Sequence, residues 1–135
     1  MSYPISELYG LDEDMAAELR AIGIRTTEKL LNAAKDPKGR KKLAQRTGFD
    51  EKLILRWANM ADRMRIKGMG KAHAELLQAA GVDTVKELKY RNPARLARAM
   101  KEANSRRKLV RLMPSEKAVI RWIEQAKKLP LKITY

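Results

Sequence analysis

Apolar residues recur along this chain at three- and four-residue spacing, and few stretches show the strict alternation of a half-buried strand. The series Ile54, Trp57, Ala61, Met64 and Val119, Trp122, Ala126 each trace one face of a helix, with Lys, Arg and Glu between them. The pattern predicts an all-α fold of about eight to nine helices. Helices are expected from about Asp12 to Ile22, ended by Gly23, and from about Gly70 to Ala80, ended by Gly81. Thr26 and Thr84 are placed to cap the helices that follow, and Thr84 with Glu87 has the spacing of a capping box. Asp36 before Pro37 and Asn92 before Pro93 mark two more starts, because proline fits the first helical position. Asp50 and Ser115 precede helices over about Glu51 to Arg65 and Glu116 to Lys128; Pro130 closes the last, leaving a short tail to Tyr135.

The same order of residues occurs twice. Leu8, Gly10, Leu11, Ala16, Leu19, Gly23, Ile24, Thr26 and Leu30 return 58 positions later as Ile66, Gly68, Met69, Ala74, Leu77, Gly81, Val82, Thr84 and Leu88. Further on, Ile54, Leu55, Arg56, Trp57 and Ala61 return as Val119, Ile120, Arg121, Trp122 and Ala126, now at an offset of 65. Nine matches at one offset predict an internal duplication with pseudo-two-fold character. The change of offset implies that the second unit gained residues, most simply between Lys101 and Met113. The predicted organisation is a first unit over residues 1–62 and a second over residues 63–135, packed as one compact domain. The copies differ after their shared glycine: Gly10 is followed by Leu11, Asp12, Glu13 and Asp14, but Gly68 by Met69, Gly70 and Lys71.

Charge sharpens that difference. The chain of 135 residues has 30 Lys and Arg against 16 Asp and Glu, a formal net of +14. Residues 1–62 hold 11 basic and 10 acidic side chains, a net of +1, whereas residues 63–135 hold 19 and 6, a net of +13. So one-sided an excess exceeds what solubility requires and predicts a polyanionic partner. The segment between the two offsets carries Arg106, Arg107, Lys108 and Arg111. Arg40, Lys41 and Lys42 form a smaller basic cluster in the first half, read as a solvated helix face. The absence of cysteine excludes disulfides and thiolate chemistry. No apolar run is long enough to span a bilayer and no export signal is evident, so a cytoplasmic protein is expected, nucleoid-associated in a prokaryotic cell.

The chemistry is expected at the second glycine turn. Gly68 and Gly70 allow positive φ and a close backbone approach, and Met69 is set to turn inward as an anchor. Ala74 is small enough for two helices to pack tightly. Amides in the turn and in the first turn of the next helix lack intrahelical acceptors, and the helix dipole adds partial positive charge, so a phosphate oxygen is a natural ligand. Arg63, Arg65, Lys67 and Lys71 surround the turn.

A helix, a turn through Gly68, Met69 and Gly70, and a second helix with Ala74 and Leu77 inside resembles the helix-hairpin-helix motif. From about Tyr3 to Leu129, with the repeated pairs Arg56–Trp57 and Arg121–Trp122, the chain looks like a prokaryotic family of tandem helix-hairpin-helix proteins catalogued as a domain of unknown function. The resemblance implies sequence-independent binding to the backbone of duplex DNA through the hairpin amides. On this chain that role falls on Gly68, Met69, Gly70 and Lys71, with Arg65, Lys67, Arg106, Arg107, Lys108 and Arg111 supplying charge. The first turn, acidic and lacking the second glycine, is expected to serve packing alone.

Other readings carry less. Trp57 and Trp122 sit on buried helical faces and read as core anchors. His73, the single histidine, aligns with Met15 and reads as a packing position with no second metal ligand at helical spacing. Asp12, Asp14, Asp50 and Glu51 are helix N-terminal carboxylates. With no nucleophile elbow, long phosphate loop or metal cluster, neither an enzyme nor a cofactor nor a small-molecule substrate is expected. The alternatives to duplex DNA are an acidic protein partner, for which the same scaffold would be an adaptor, and structured RNA; few aromatic residues argue against single-strand stacking.

Overall fold

The computed structural model describes residues 2–135. It is all-helical, with no named strand among those residues. After a single 3-10 turn at Ile5–Glu7 come eight α-helices: α1 (Glu13–Ala21), α2 (Thr27–Ala34), α3 (Pro37–Thr47), α4 (Glu51–Arg63), α5 (Lys71–Ala79), α6 (Val85–Leu88), α7 (Pro93–Arg107) and α8 (Glu116–Lys128). None of them is long and apolar enough to cross a membrane.

Local chemistry fixes most of the helix starts. Asp12, Thr26, Asp36, Asp50, Asn92 and Ser115 stand at N-caps, and the side chain of each accepts a backbone N–H from the first turn of its helix. Two starts and ends depart from expectation. Thr84 is buried and makes no side-chain cap. The amide of Val85 donates instead to Asp62 Oδ2 at 2.8 Å, and Glu87 Oε2 accepts from Asp83 N at 2.9 Å. A charged carboxylate from α4 thus replaces the threonine hydroxyl. Helix α4 also stops at Arg63, two residues before the predicted Arg65, because the chain turns sharply to bury Met64 and Ile66.

The helices assemble in two groups. Helices α2, α3 and α4 pack on one another, as do α7 with α5 and α8, and α6 with α8. Gly39 allows the first group to close: a Cβ there would collide with the Ala33 carbonyl oxygen at the end of α2. Trp57 is buried with Phe49 edge-on to it at 5.4 Å between ring centroids, and Trp122 is buried beside His73 at 5.8 Å. The division at residues 62/63 falls on the last turn of α4, where Asp62 and Arg63 both bond into the second group.

The tail after α8 returns across the molecule. Thr134 N donates to Lys35 O at 2.8 Å, and Arg40 donates to Ala34 O at 2.9 Å and Thr134 O at 2.8 Å. Arg40 is therefore a buried pin for the tail, not part of a solvated face with Lys41 and Lys42. Arg65 Nη2 holds the tail at its start, on Pro130 O at 2.6 Å.

Removing Asp62 should be costly, since it leaves the Arg65 guanidinium and the Val85 amide without their acceptor. Asp62→Ala is expected to lower the unfolding free energy by about 3 kcal/mol in denaturant titration. Glu102→Ala, which breaks the exposed Arg106 pair, should change it by less than about 0.5 kcal/mol. Equal effects would refute the structural role of Asp62.

Candidate nucleic-acid interface

Two glycine turns have the same backbone. Gly10 has φ of +82° and Gly68 +83°, left-handed values that glycine adopts without strain. In each turn the next residue points inward and its amide closes a short loop: Leu11 N donates to Leu8 O at 3.2 Å and Met69 N to Ile66 O at 3.1 Å. Met69 and Ile66 are fully buried, so the second turn is anchored from within as the sequence predicts, and Ala74 is buried behind it. Each turn also rests on the last helix of its group. Tyr9 N donates to Met60 Sδ of α4 at 3.2 Å, and Lys67 N to Gln125 Oε1 of α8 at 2.8 Å. The two offsets of the sequence, 58 and 65, relate these partners to each other.

The turns part company one residue later. Asp12 and Gly70 both occupy the N-cap with extended backbone, φ −81° and −88°. Of the two glycines that allow positive φ, only Gly68 uses it. Nothing lies within 4 Å of where a Cβ on Gly70 would stand, so the missing side chain leaves an open face. Asp12 Oδ1 accepts the amide of Met15 at 2.8 Å. The equivalent amide in the second turn belongs to His73, and among the described residues no acceptor meets the amides of Lys71, Ala72 or His73. Three N–H groups thus point out of the N-terminus of α5, where the helix dipole is positive.

The surrounding cations divide into two sets. Arg63 is only 2% exposed and donates through Nε to Ala74 O at 2.7 Å and through Nη1 to Asp83 O at 2.8 Å. Burial lowers its pKa to about 10, opposed by the charges of Glu75, Asp83, Asp62 and Glu87, and it remains a cation at neutral pH. Arg65 is paired with Asp62 at 2.7 Å and with the tail carbonyl. Of the residues expected to contact DNA, Arg65 is thus the one committed to holding Asp62 and the start of the tail.

The other set faces outward. Lys67, Lys71, Arg106, Arg107, Lys108 and Arg111 are all exposed. Lys71 Nζ and Arg107 Cζ lie 6.0 and 5.9 Å from the centre of the Tyr9 ring, which brings the end of α7 beside the first turn of α5. Arg107 also meets Glu75 at 3.1 Å, and Arg106 meets Glu102 at 3.4 Å. Lys108 ends α7 in the left-handed conformation, φ +52°. Tyr9 and Gln125 are the residues that sequence reasoning missed. The offset of 58 relates Lys67 to Tyr9, but Gln125 follows only once the structure has shown Tyr9 bonded to Met60, whose counterpart at an offset of 65 is Gln125.

Comparison with known proteins adds a family. No curated protein and no solved structure gives a significant match to the chain. A family described as Domain of unknown function (DUF4332) matches over residues 9–129, which takes in all eight helices and both glycine turns, and the chain belongs to that family.

Proposed function

We propose that this protein binds duplex DNA through its phosphate backbone, without strong sequence preference, using the Gly68 turn as a helix-hairpin-helix phosphate grip. The observation that carries the reading is the exchange of Asp12 for Gly70 at otherwise equivalent N-caps. A phosphate oxygen fits where the first turn keeps its own carboxylate: it accepts from the amides of Lys71, Ala72 and His73 and sits at the positive end of α5. Lys67 and Lys71 flank that position, and Arg107 and Lys108 at the end of α7 extend the positive surface toward a neighbouring phosphate. Backbone amides and flexible cations hold phosphate without reading base edges, which is why sequence preference should be weak. The first turn, capped by Asp12 and followed by Glu13 and Asp14, repels the same ligand.

The Gly70 exchange supplies a variant that separates binding from folding. Gly70→Asp recreates the cap of the first turn; it should leave thermal stability unchanged or slightly raised and weaken duplex binding about ten- to a hundredfold by fluorescence anisotropy. Undiminished binding would remove the second turn from the interface. With about five phosphates neutralised, the slope of log affinity against log salt should lie near −4.5, at roughly −0.9 per phosphate. A slope close to zero, or preference for an acidic protein over duplex DNA in competition, would contradict the reading.

A further inference from the structure

We propose that Leu112 is an apolar wedge that enters the duplex beside the Gly68 turn, partly unstacking a base step and bending the DNA. This rests on the DNA-binding reading above. Leu112 is 85% exposed, the most exposed large apolar side chain among the described residues. It stands on the loop joining α7 to α8, within the segment where the second half is longer than the first.

That loop is held in shape. Lys108 N donates to Asn104 O at 2.8 Å, Asn104 Nδ2 donates to Val110 O at 3.0 Å, and Val110 N returns to Asn104 Oδ1 at 3.0 Å. Leu109, Val110 and Met113 pack against the core. Of the loop's apolar residues, only Leu112 is left pointing outward, on a stub fixed from both sides.

The setting selects the occupant. Residues 105–121 carry six basic side chains, Arg106, Arg107, Lys108, Arg111, Lys117 and Arg121, against Glu116 alone. A leucine set among cations along the chain fits a partner that offers negative charge outside and apolar surface just beneath. In duplex DNA the phosphates are outermost and the apolar surface is the stacked base faces, so a side chain reaches it by entering a groove and parting a step. The position suits this. Arg107 shares Tyr9 with Lys71, so the loop leaves α7 at the flank of the uncapped amides, and grip and wedge can act on one duplex.

The test uses the full chain and a duplex of about 30 base pairs with terminal donor and acceptor dyes and 2-aminopurine at a central pyrimidine–purine step, the most easily kinked. Binding of the unaltered protein should raise energy transfer and 2-aminopurine fluorescence. Leu112→Ala, at an exposed site, should fold normally, bind about tenfold more weakly and lose both signals with its salt slope unchanged. Arg111→Ala should instead reduce the slope by about one. Tight binding by the unaltered protein without bending, or unchanged affinity and bending in Leu112→Ala, overturns the wedge and leaves the DNA-binding reading standing. No duplex binding at low salt overturns both, as does Leu112-dependent binding to phosphatidylserine vesicles without duplex binding.

Discussion

The second half of this molecule is hung on one carboxylate. Asp62 sits on the last turn of α4, 2% exposed, where an unpartnered charge would be untenable. Both oxygens are satisfied: Oδ1 by Arg65, three residues on, and Oδ2 by the amide of Val85 at the start of α6. Arg65 then holds Pro130, where the tail leaves α8. The direction in which the chain leaves α4, and hence where the Gly68 turn points, depends on this junction. Arg63, its neighbour, performs a parallel task with carbonyls of α5 and of the approach to α6.

On this frame the two glycine turns start their helices differently. The first has a side chain of its own to finish the helix it begins. In the second, glycine replaces that side chain, and the amide of His73 joins those of Lys71 and Ala72 in being left for water or a ligand. Asx and hydroxyl caps contribute about 1 kcal/mol each, so a bare N-terminus forgoes stability that the same backbone evidently could have had. The sequence breaks its own local rule at this turn, where cations are also gathered, and departures of that kind tend to mark functional sites.

The range of each interaction decides whether the sequence reveals it. Caps within three or four residues, such as Asp12, Asp36 and Ser115, could be read directly, as could the buried faces of Trp57 and Trp122 and the inward anchor Met69. Thr84 could not, because its place is taken by Asp62 from 22 positions away. Charge alone does not separate Arg63 and Arg65 from Lys67 and Lys71 around the turn, or Arg40 from Lys41 and Lys42, yet these three arginines donate to carbonyls or to Asp62. Nothing local distinguishes an arginine that will bridge segments from one that will stay in solvent. The tail from Pro130 looked like an ending because its partners, Lys35 and Arg40, lie almost a hundred residues earlier.

If the Gly68 turn grips DNA as proposed, phosphate meets the backbone amides of α5 and not those of α1. Amide chemical shifts, followed residue by residue in two-dimensional nitrogen–proton spectra while a short random duplex is added, test it most directly. Large, salt-sensitive shifts are expected at Lys71, Ala72 and His73, with little change at Glu13, Asp14 and Met15. Shifts of equal size at both turns, or shifts that leave the start of α5 untouched, would contradict it.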